Sequence, residues 1–269
     1  MPTMTPPAGS AAVLLAAGDI GDCTLQGAEL TGRLLDGMAG TVTPLGDLAY
    51  PNGSHLDFGR CYHPFWGRHL SRTRPVPGNH EYETANAVPY FEYFGDLGGP
   101  PGAGYYAYSR AGWLILALNS EVDTASASAQ VMWMRNELSV SSARCTLAYF
   151  HKPLFSSGPN GDNPHMRVIV RTLYEAGADV VLAAHDHSYE RFAPQNADGG
   201  ADPIRGIRMF VVGTGGARLT PQGTPKANSQ MRFSEWGVLK VTLHPAGYEW
   251  EFVPASGGSF RDSGTGECH

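Results

Sequence analysis

Gly46-Asp47-Leu48-Ala49-Tyr50 places a carboxylate and a phenol three residues apart, directly after the apolar run Val42 to Leu45. A carboxylate has two oxygens and can join two cations, whereas a phenol oxygen ligates one. Asp47 is therefore a candidate bridge between two metals, and Tyr50 a candidate ligand that marks one of them as a hard, highly charged ion. Alone, the stretch also reads as ordinary strand-to-loop chemistry with a surface Asp and a packed Tyr. Its weight comes from recurrence along the chain.

Working outward, the repeating unit is strand, loop, helix. Val13 to Ala17 ends at Gly18-Asp19, and a helix with apolar Leu30, Leu34, Leu35 and Met38 follows from about Gln26. After Asp47 comes a loop and a helical stretch around Phe58 to Leu70, and then Arg74 to Pro77 leads to Gly78-Asn79-His80-Glu81. Gly104 to Tyr108 and Trp113 to Leu118 read as extended, and a helix from about Ser128 carries Val131, Met134 and Leu138. Cys145 to Phe150 delivers His151; a helix from about Met166 to Ala176 precedes Asp179 to Ala183, which delivers His185-Asp186-His187. Strand ends thus present Asp19, Asp47, Asn79, His151, and His185 with His187. In open α/β sheets the binding crevice lies outside the carboxyl ends of the strands, so these groups are expected to converge. Beyond Arg191 the pattern turns β-rich, with Met209 to Gly213, Val238 to Leu243 and Tyr248 to Phe252; His244-Pro245-Ala246-Gly247 reads as a hairpin link. With no repeat and no clear linker, residues 10–269 read as one α/β domain behind a disordered leader, 1–9.

Abundant Gly (34) and Pro (20) beside 42% hydrophobic residues describe short buried strands joined by much loop, a scaffold whose loops carry chemistry. The net charge of −6 offers no basic stripe for general nucleic-acid or anionic-membrane binding. No apolar run reaches the eighteen or so residues of a membrane span. Ser10 to Ala17 lacks the basic segment of a signal peptide and reads as the first strand. Cys23, Cys61, Cys145 and Cys268 form no close CxxC pair, which argues against a zinc knuckle. An even count with one member almost at the C-terminus favours staples, and pairing Cys145 with Cys268 would tie down the tail; buried free thiols are the alternative, and the pairing is open. Disulfides would place the protein outside the reducing cytosol.

Gly18-Asp19, Gly46-Asp47-Leu48-Ala49-Tyr50, Gly78-Asn79-His80-Glu81, His151 and His185-Asp186-His187-Ser188-Tyr189-Glu190-Arg191 resemble, in order, the five blocks of calcineurin-like metallophosphoesterases, and among them most closely the purple acid phosphatases. Gly21 stands where many superfamily members carry a metal-binding His, and Tyr50 is present instead, which is the purple acid phosphatase pattern. The resemblance implies a metallophosphoesterase-type sandwich of two mixed sheets flanked by helices. It implies that Asp19, Tyr50 and His187 hold Fe(III), that Asn79, His151 and His185 hold a divalent Fe, Zn or Mn, and that Asp47 lies between the two. Anionic oxygen donors suit the trivalent ion, and neutral Asn and imidazoles the divalent one. The implied reaction is hydrolysis of small phosphate monoesters by a hydroxide held on the metal pair. His80, outside the ligand set, is expected to steady the phosphate and protonate the leaving oxygen, a task suited to imidazole. Export is the family's habit. Ala184 stands where relatives usually have Gly, and Glu190 and Arg191 match residues that support the ligands.

Alternation along an extended segment would put His185 and His187 on one face and Asp186 on the other. Of the remaining histidines, His165 is a candidate substrate contact, because the polar loop Ser156 to His165 follows His151. His55, His63, His69, His244 and His269 read as surface or core. Two other functions compete. The same centre would also serve phosphodiesters or nucleotides, and a non-catalytic metal-stabilised binding module would keep the ligands without needing His80.

Overall fold

A computed structural model describes residues 11–255 and 260–269; the leader expected at 1–9 lies outside them. The strands are β1 Ala12–Ala17, β2 Thr41–Pro44, β3 Tyr106–Arg110, β4 Trp113–Ala117, β5 Cys145–Tyr149, β6 Val180–Ala183, β7 Tyr189–Phe192, β8 Arg208–Val212, β9 Ser229–Phe233, β10 Gly237–His244, β11 Gly247–Pro254 and β12 Ser263–Glu267. The helices are α1 Gly27–Asp36, α2 His55–Asp57, α3 Val88–Phe94, α4 Ala129–Val140 and α5 Arg167–Glu175. One sheet has the order β12-β11-β10-β1-β2 and the other β3-β4-β5-β6-β8-β7-β9. Both are mixed: β1 runs parallel to β2 and antiparallel to β10, while β4, β5, β6 and β8 run parallel, β3 pairs antiparallel with β4, and β7 pairs antiparallel with both β8 and β9. The expected sandwich of two mixed sheets with flanking helices is what the chain forms.

Strand periodicity explains how one sequence serves two cores. Along β4, Ile115 and Ala117 point into the space between the sheets, and Leu114 and Leu116 point to the other face, beneath α4 and α5. A strand covered on both faces reads as a continuous apolar run, here Trp113-Leu114-Ile115-Leu116-Ala117. Between the sheets, Phe210 meets Trp250 with ring centroids 5.8 Å apart and Tyr189 meets Phe252 at 5.0 Å. On the outer face, Val131 and Met134 of α4 and Ile169, Val170 and Leu173 of α5 pack on Ala148, Val181 and Val211.

The structure departs from the expected elements in four places. Helix α1 buries Gly27, Ala28, Thr31, Gly32 and Leu35, whereas Leu30 and Leu34 are only partly covered. Small residues win because the helix lies against backbone: the Thr31 hydroxyl donates to Gly215 O at 2.6 Å, and a Cβ on Gly27 would fall 2.4 Å from Gly216 O. The stretch Phe58 to Leu70 is a π-helical turn and a 3₁₀ run instead of one helix. The hairpin link is only Pro245-Ala246, since His244 already pairs with Gly247. Strands β7, β9 and β12 lack a strong apolar signal. In β12, Gly264 and Gly266 lie under the rings of Trp250 and Tyr248, where a Cβ would come within 2.4 Å. The Cys145–Cys268 disulfide fastens its end to β5, and the second bridge is Cys23–Cys61.

Candidate metal centre

The loops after β1 and β2 run on side by side beyond their strands. Asp19 N donates to Gly46 O at 3.0 Å, Ile20 N to Asp47 O at 2.9 Å and Gly21 N to Leu48 O at 3.0 Å; Tyr50 N returns to Gly21 O at 2.9 Å. The Cys23–Cys61 bridge ties down the far end of the first loop. Asp19, Asp47 and His185 have φ of 57°, 52° and 71°, the left-handed region that non-glycine residues seldom occupy. Such strain persists where the surroundings hold it. At Asp47 the holder is Glu81, fully buried, whose carboxylate accepts the N–H groups of Asp47 (2.9 Å), Leu48 (2.8 Å), Ala49 (3.2 Å) and Gly78 (2.8 Å). Gly46, at φ 86°, clears the space for a ligand: a Cβ there would meet His151 Cβ at 2.6 Å.

Every candidate ligand from the sequence arrives in one cluster. Asp47 Oδ2 lies 3.1 Å from His151 Nε2 and accepts from the Tyr50 hydroxyl at 3.4 Å. His151 Nε2 also faces Asn79 Oδ1 at 3.2 Å and His185 Nδ1 at 3.2 Å. On the other side, Tyr50 donates to Asp19 Oδ1 at 3.0 Å, and His187 Nε2 lies 3.2 Å from the phenol and 3.4 Å from Asp19 Oδ1. Two groups of donors thus flank Asp47. The rings are fixed from behind: His151 Nδ1 donates to Leu45 O at 2.9 Å and His187 Nδ1 to Arg218 O at 2.8 Å. In the neutral tautomers this leaves both Nε2 atoms as lone-pair donors aimed at oxygens that are themselves acceptors, an arrangement that suits a cation and otherwise calls for protons.

The electrostatics repeat that demand. Burial opposes charge on His151, yet Asp47 lifts its imidazolium to about 10. Burial likewise opposes His187, which Asp19 lifts to about 9. Against the penalty of burial, His151 and His80 hold Asp47 below the usual carboxylate range, and His187 does the same for Asp19. His185 goes the other way, pushed down to about 4 by burial and by His151 beside it. Burial, then Asp19 and Asp47, push the Tyr50 phenol well above its ordinary value. Burial and Asp47 push Glu81 up to about 8, opposed by the backbone donors of Gly78 and Leu48.

His185 and His187 both reach the cluster while Asp186 turns away, as the alternation predicts, but the backbone here is a bend, with the left-handed turn at His185 in place of extended chain. Asp186 is held by the Ser156 hydroxyl and by Asn160 N at 2.9 Å, Glu190 by Ser157 N at 2.8 Å, and Arg191 binds Asp262 at 2.7 Å. Ala184 fits because its neighbour is Gly18, where a second Cβ would come within 2.5 Å of its own. His80 lies at the rim, its Nε2 3.8 Å from Asp47 Oδ2, its Nδ1 on Pro51 O and its ring 4.3 Å from that of Tyr50. His165 is exposed beside Ser120, Lys152 and Glu121 and makes no hydrogen bond to the cluster among the described residues. Sequence reasoning missed Glu81 as the anchor of Asp47, though it stands in the Gly78-Asn79-His80-Glu81 block. It also missed Gly213, where a Cβ would come within 2.0 Å of Asp186 O and 2.6 Å of Asp19 Oδ2; Gly213-Thr214-Gly215-Gly216 after a strand was the available signal. Among the described residues no helix is long and apolar enough to cross a membrane.

This fold, with loop-borne donors at the strand ends, is that of a phosphoesterase. The profile of the calcineurin-like phosphoesterase family matches residues 7–189, and the chain belongs to that family. Purple acid phosphatase 22 of Arabidopsis thaliana is 28% identical over 222 residues, 71% of this chain and 48% of the relative. Purple acid phosphatase 18 of the same plant is 28% identical over 241 residues, 80% of this chain and 52% of the relative. The chain therefore spans about half the length of the curated relatives it matches. Among solved structures, the purple acid phosphatase PPD1 from yellow lupin seeds superposes with a TM-score of 0.83 at 17% identity, over 97% of this chain and 54% of that one. GAP50, the anchor in the inner membrane complex of Plasmodium, superposes at 0.72 with 14% identity, over 96% and 89%. These likenesses confirm the fold.

Proposed function

We propose that this phosphoesterase is a binuclear-metal enzyme that hydrolyses phosphate monoesters. In this reading Asp19, Tyr50 and His187 would hold Fe(III), Asn79, His151 and His185 would hold a divalent Fe, Zn or Mn, and Asp47 would be shared between the two. The observation that carries the proposal is the convergence of lone pairs: Nε2 of His151 and of His187, each with its Nδ1 committed to a carbonyl, faces carboxylate, amide or phenol oxygens at 3.1 to 3.4 Å. When bound, a metal pair supplies positive charge for the phosphate oxygens and lowers the pKa of water.

The protein's own groups do the rest. Glu81 locks the turn that aims Asp47, so both carboxylate oxygens keep one geometry through turnover. His80 would hand a proton from Nε2 to the departing alcohol oxygen, since Nδ1 is committed to Pro51 O and Nε2, 3.8 Å from Asp47 Oδ2, is the ring nitrogen on the cluster side. Its half-open position, 31% exposed, gives it access to the substrate. Residues 10–269 act as one domain in this account, and the two disulfides support a life outside the reducing cytosol.

A fold hosts many functions, and a relative in shape is described as an anchor. The full donor set with His80 beside it favours hydrolysis over a binding module. The test is elemental analysis of the purified protein with a phosphatase assay before and after chelation. Bound iron with a second metal, and mono- over diester preference lost on chelation and restored by both metals, is expected. A protein inert toward mono- and diesters alike, or active without iron, overturns the respective part.

A further inference from the structure

The loop after β8 carries Arg218, whose backbone carbonyl holds the His187 ring. Arg218 is exposed, and its guanidinium has no hydrogen bond or ion pair among the described residues. Its backbone, in contrast, is laced to the donor cluster. Ala217 N donates to Asp19 O at 2.8 Å, the Trp236 indole N–H donates to Ala217 O at 2.8 Å, His187 Nδ1 donates to Arg218 O at 2.8 Å, and Thr220 N donates to His187 O at 3.0 Å. The Cα of Arg218 is thus fixed one carbonyl away from the His187 ring. Two further polar atoms of this loop, Thr220 Oγ1 and Gln222 Oε1, are buried without a partner. Although the chain carries a net charge of −6, no carboxylate among the described residues pairs with Arg218, whose carbonyl holds the His187 ring.

We infer that Arg218 is a specificity-determining residue that selects substrates carrying a second anionic group beside the phosphoryl group being transferred; this rests on the phosphoesterase reading above. The donor cluster takes the scissile phosphoryl. On the His187 side the planar guanidinium offers a fork of N–H donors that matches a phosphate or carboxylate in two-point contact. The anion is bound by charge and geometry and takes no part in the bond cleavage, so the effect falls on KM more than on kcat.

The experiment compares wild type, Arg218→Gln and Arg218→Lys with three substrates: p-nitrophenyl phosphate, inorganic pyrophosphate and phosphoserine. The expected result is that Arg218→Gln lowers the ratio of kcat/KM for pyrophosphate to that for p-nitrophenyl phosphate about tenfold, chiefly through KM, and that Arg218→Lys restores part of it. A fall for pyrophosphate alone assigns the second group as phosphate, and a parallel fall for phosphoserine extends it to carboxylate. An unchanged ratio, or equal losses on all three substrates, overturns the inference. Wild-type inactivity on all three overturns the hydrolase reading itself, so the two failures are distinct.

Discussion

The two groups of donors on either side of Asp47 differ in charge and in how they are held. On one side stand Asn79, His151 and His185, side chains that would be uncharged as ligands, and His151 is completely buried. On the other, Asp19 and the ionisable Tyr50 join His187, whose side chain is 21% exposed. Neutral imidazole and amide suit a divalent ion, while anionic oxygens suit a trivalent one, so on the proposed reading the asymmetry would sort the two metals by side-chain chemistry. The Asp19 side also lies next to the open rim, where the rings of Tyr50 and His80 meet at 4.3 Å and the Arg218 carbonyl holds His187.

Breaking what the two sides share has the largest expected effect. Asp47→Asn removes the common anion, and the phosphatase rate is expected to fall more than about 100-fold, beyond the 10- to 100-fold typical of an outer partner. Metal content by elemental analysis should drop at the same time. Replacing the sides separately sharpens the contrast. His187→Ala and Tyr50→Phe are expected to lose iron and the visible colour of a ferric phenolate while keeping the divalent ion, and His151→Ala the reverse. Equal loss of both metals in all three variants would dissolve the distinction.

Glu81→Gln is expected to cost both stability and rate. The amide has one acceptor oxygen for four N–H groups, and each buried donor left unpaired costs about 1–3 kcal/mol. A thermal melt and a roughly 10- to 100-fold rate loss would report it. A smaller effect concerns protons in the metal-free protein. His151 and His187 have folded pKa values of about 10 and 9, above the ordinary value near 6.5, so their stabilisation is complete below about pH 6.5 and is lost as pH rises through 9 and 10. The melting point of chelated protein should fall across that window, and added metal should flatten the fall. The finest test is His80→Ala, expected to lose more rate on esters with poor leaving groups than on those with good ones. Equal losses would exclude proton donation.

Much of this was legible in the sequence because short apolar runs ending in polar residues mark strand ends, and strand ends converge. Val42 to Leu45 before Asp47 and Cys145 to Phe150 before His151 are such runs. The ligand candidates could be named from local patterns, since their residue types already state their chemistry. Helix α1 lies where the sequence puts it, but its buried face was not legible: counting leucines assumes a greasy partner surface, and its partner includes the glycine-lined backbone at Gly215 and Gly216. Strand β12 escaped notice because its glycines are chosen by the rings of Trp250 and Tyr248, which are distant in sequence.

The sequence by itself determined the donor inventory and the alternation of strand and helix, because ligand chemistry and periodicity are properties of single residues and their near neighbours. Only the tertiary structure decided which ring nitrogen faces the cluster, that Glu81 holds Asp47, that Cys23 joins Cys61, and that the Arg218 carbonyl holds the His187 ring. Those are contacts across tens to more than a hundred residues, set by how two sheets pack, and no local pattern encodes them.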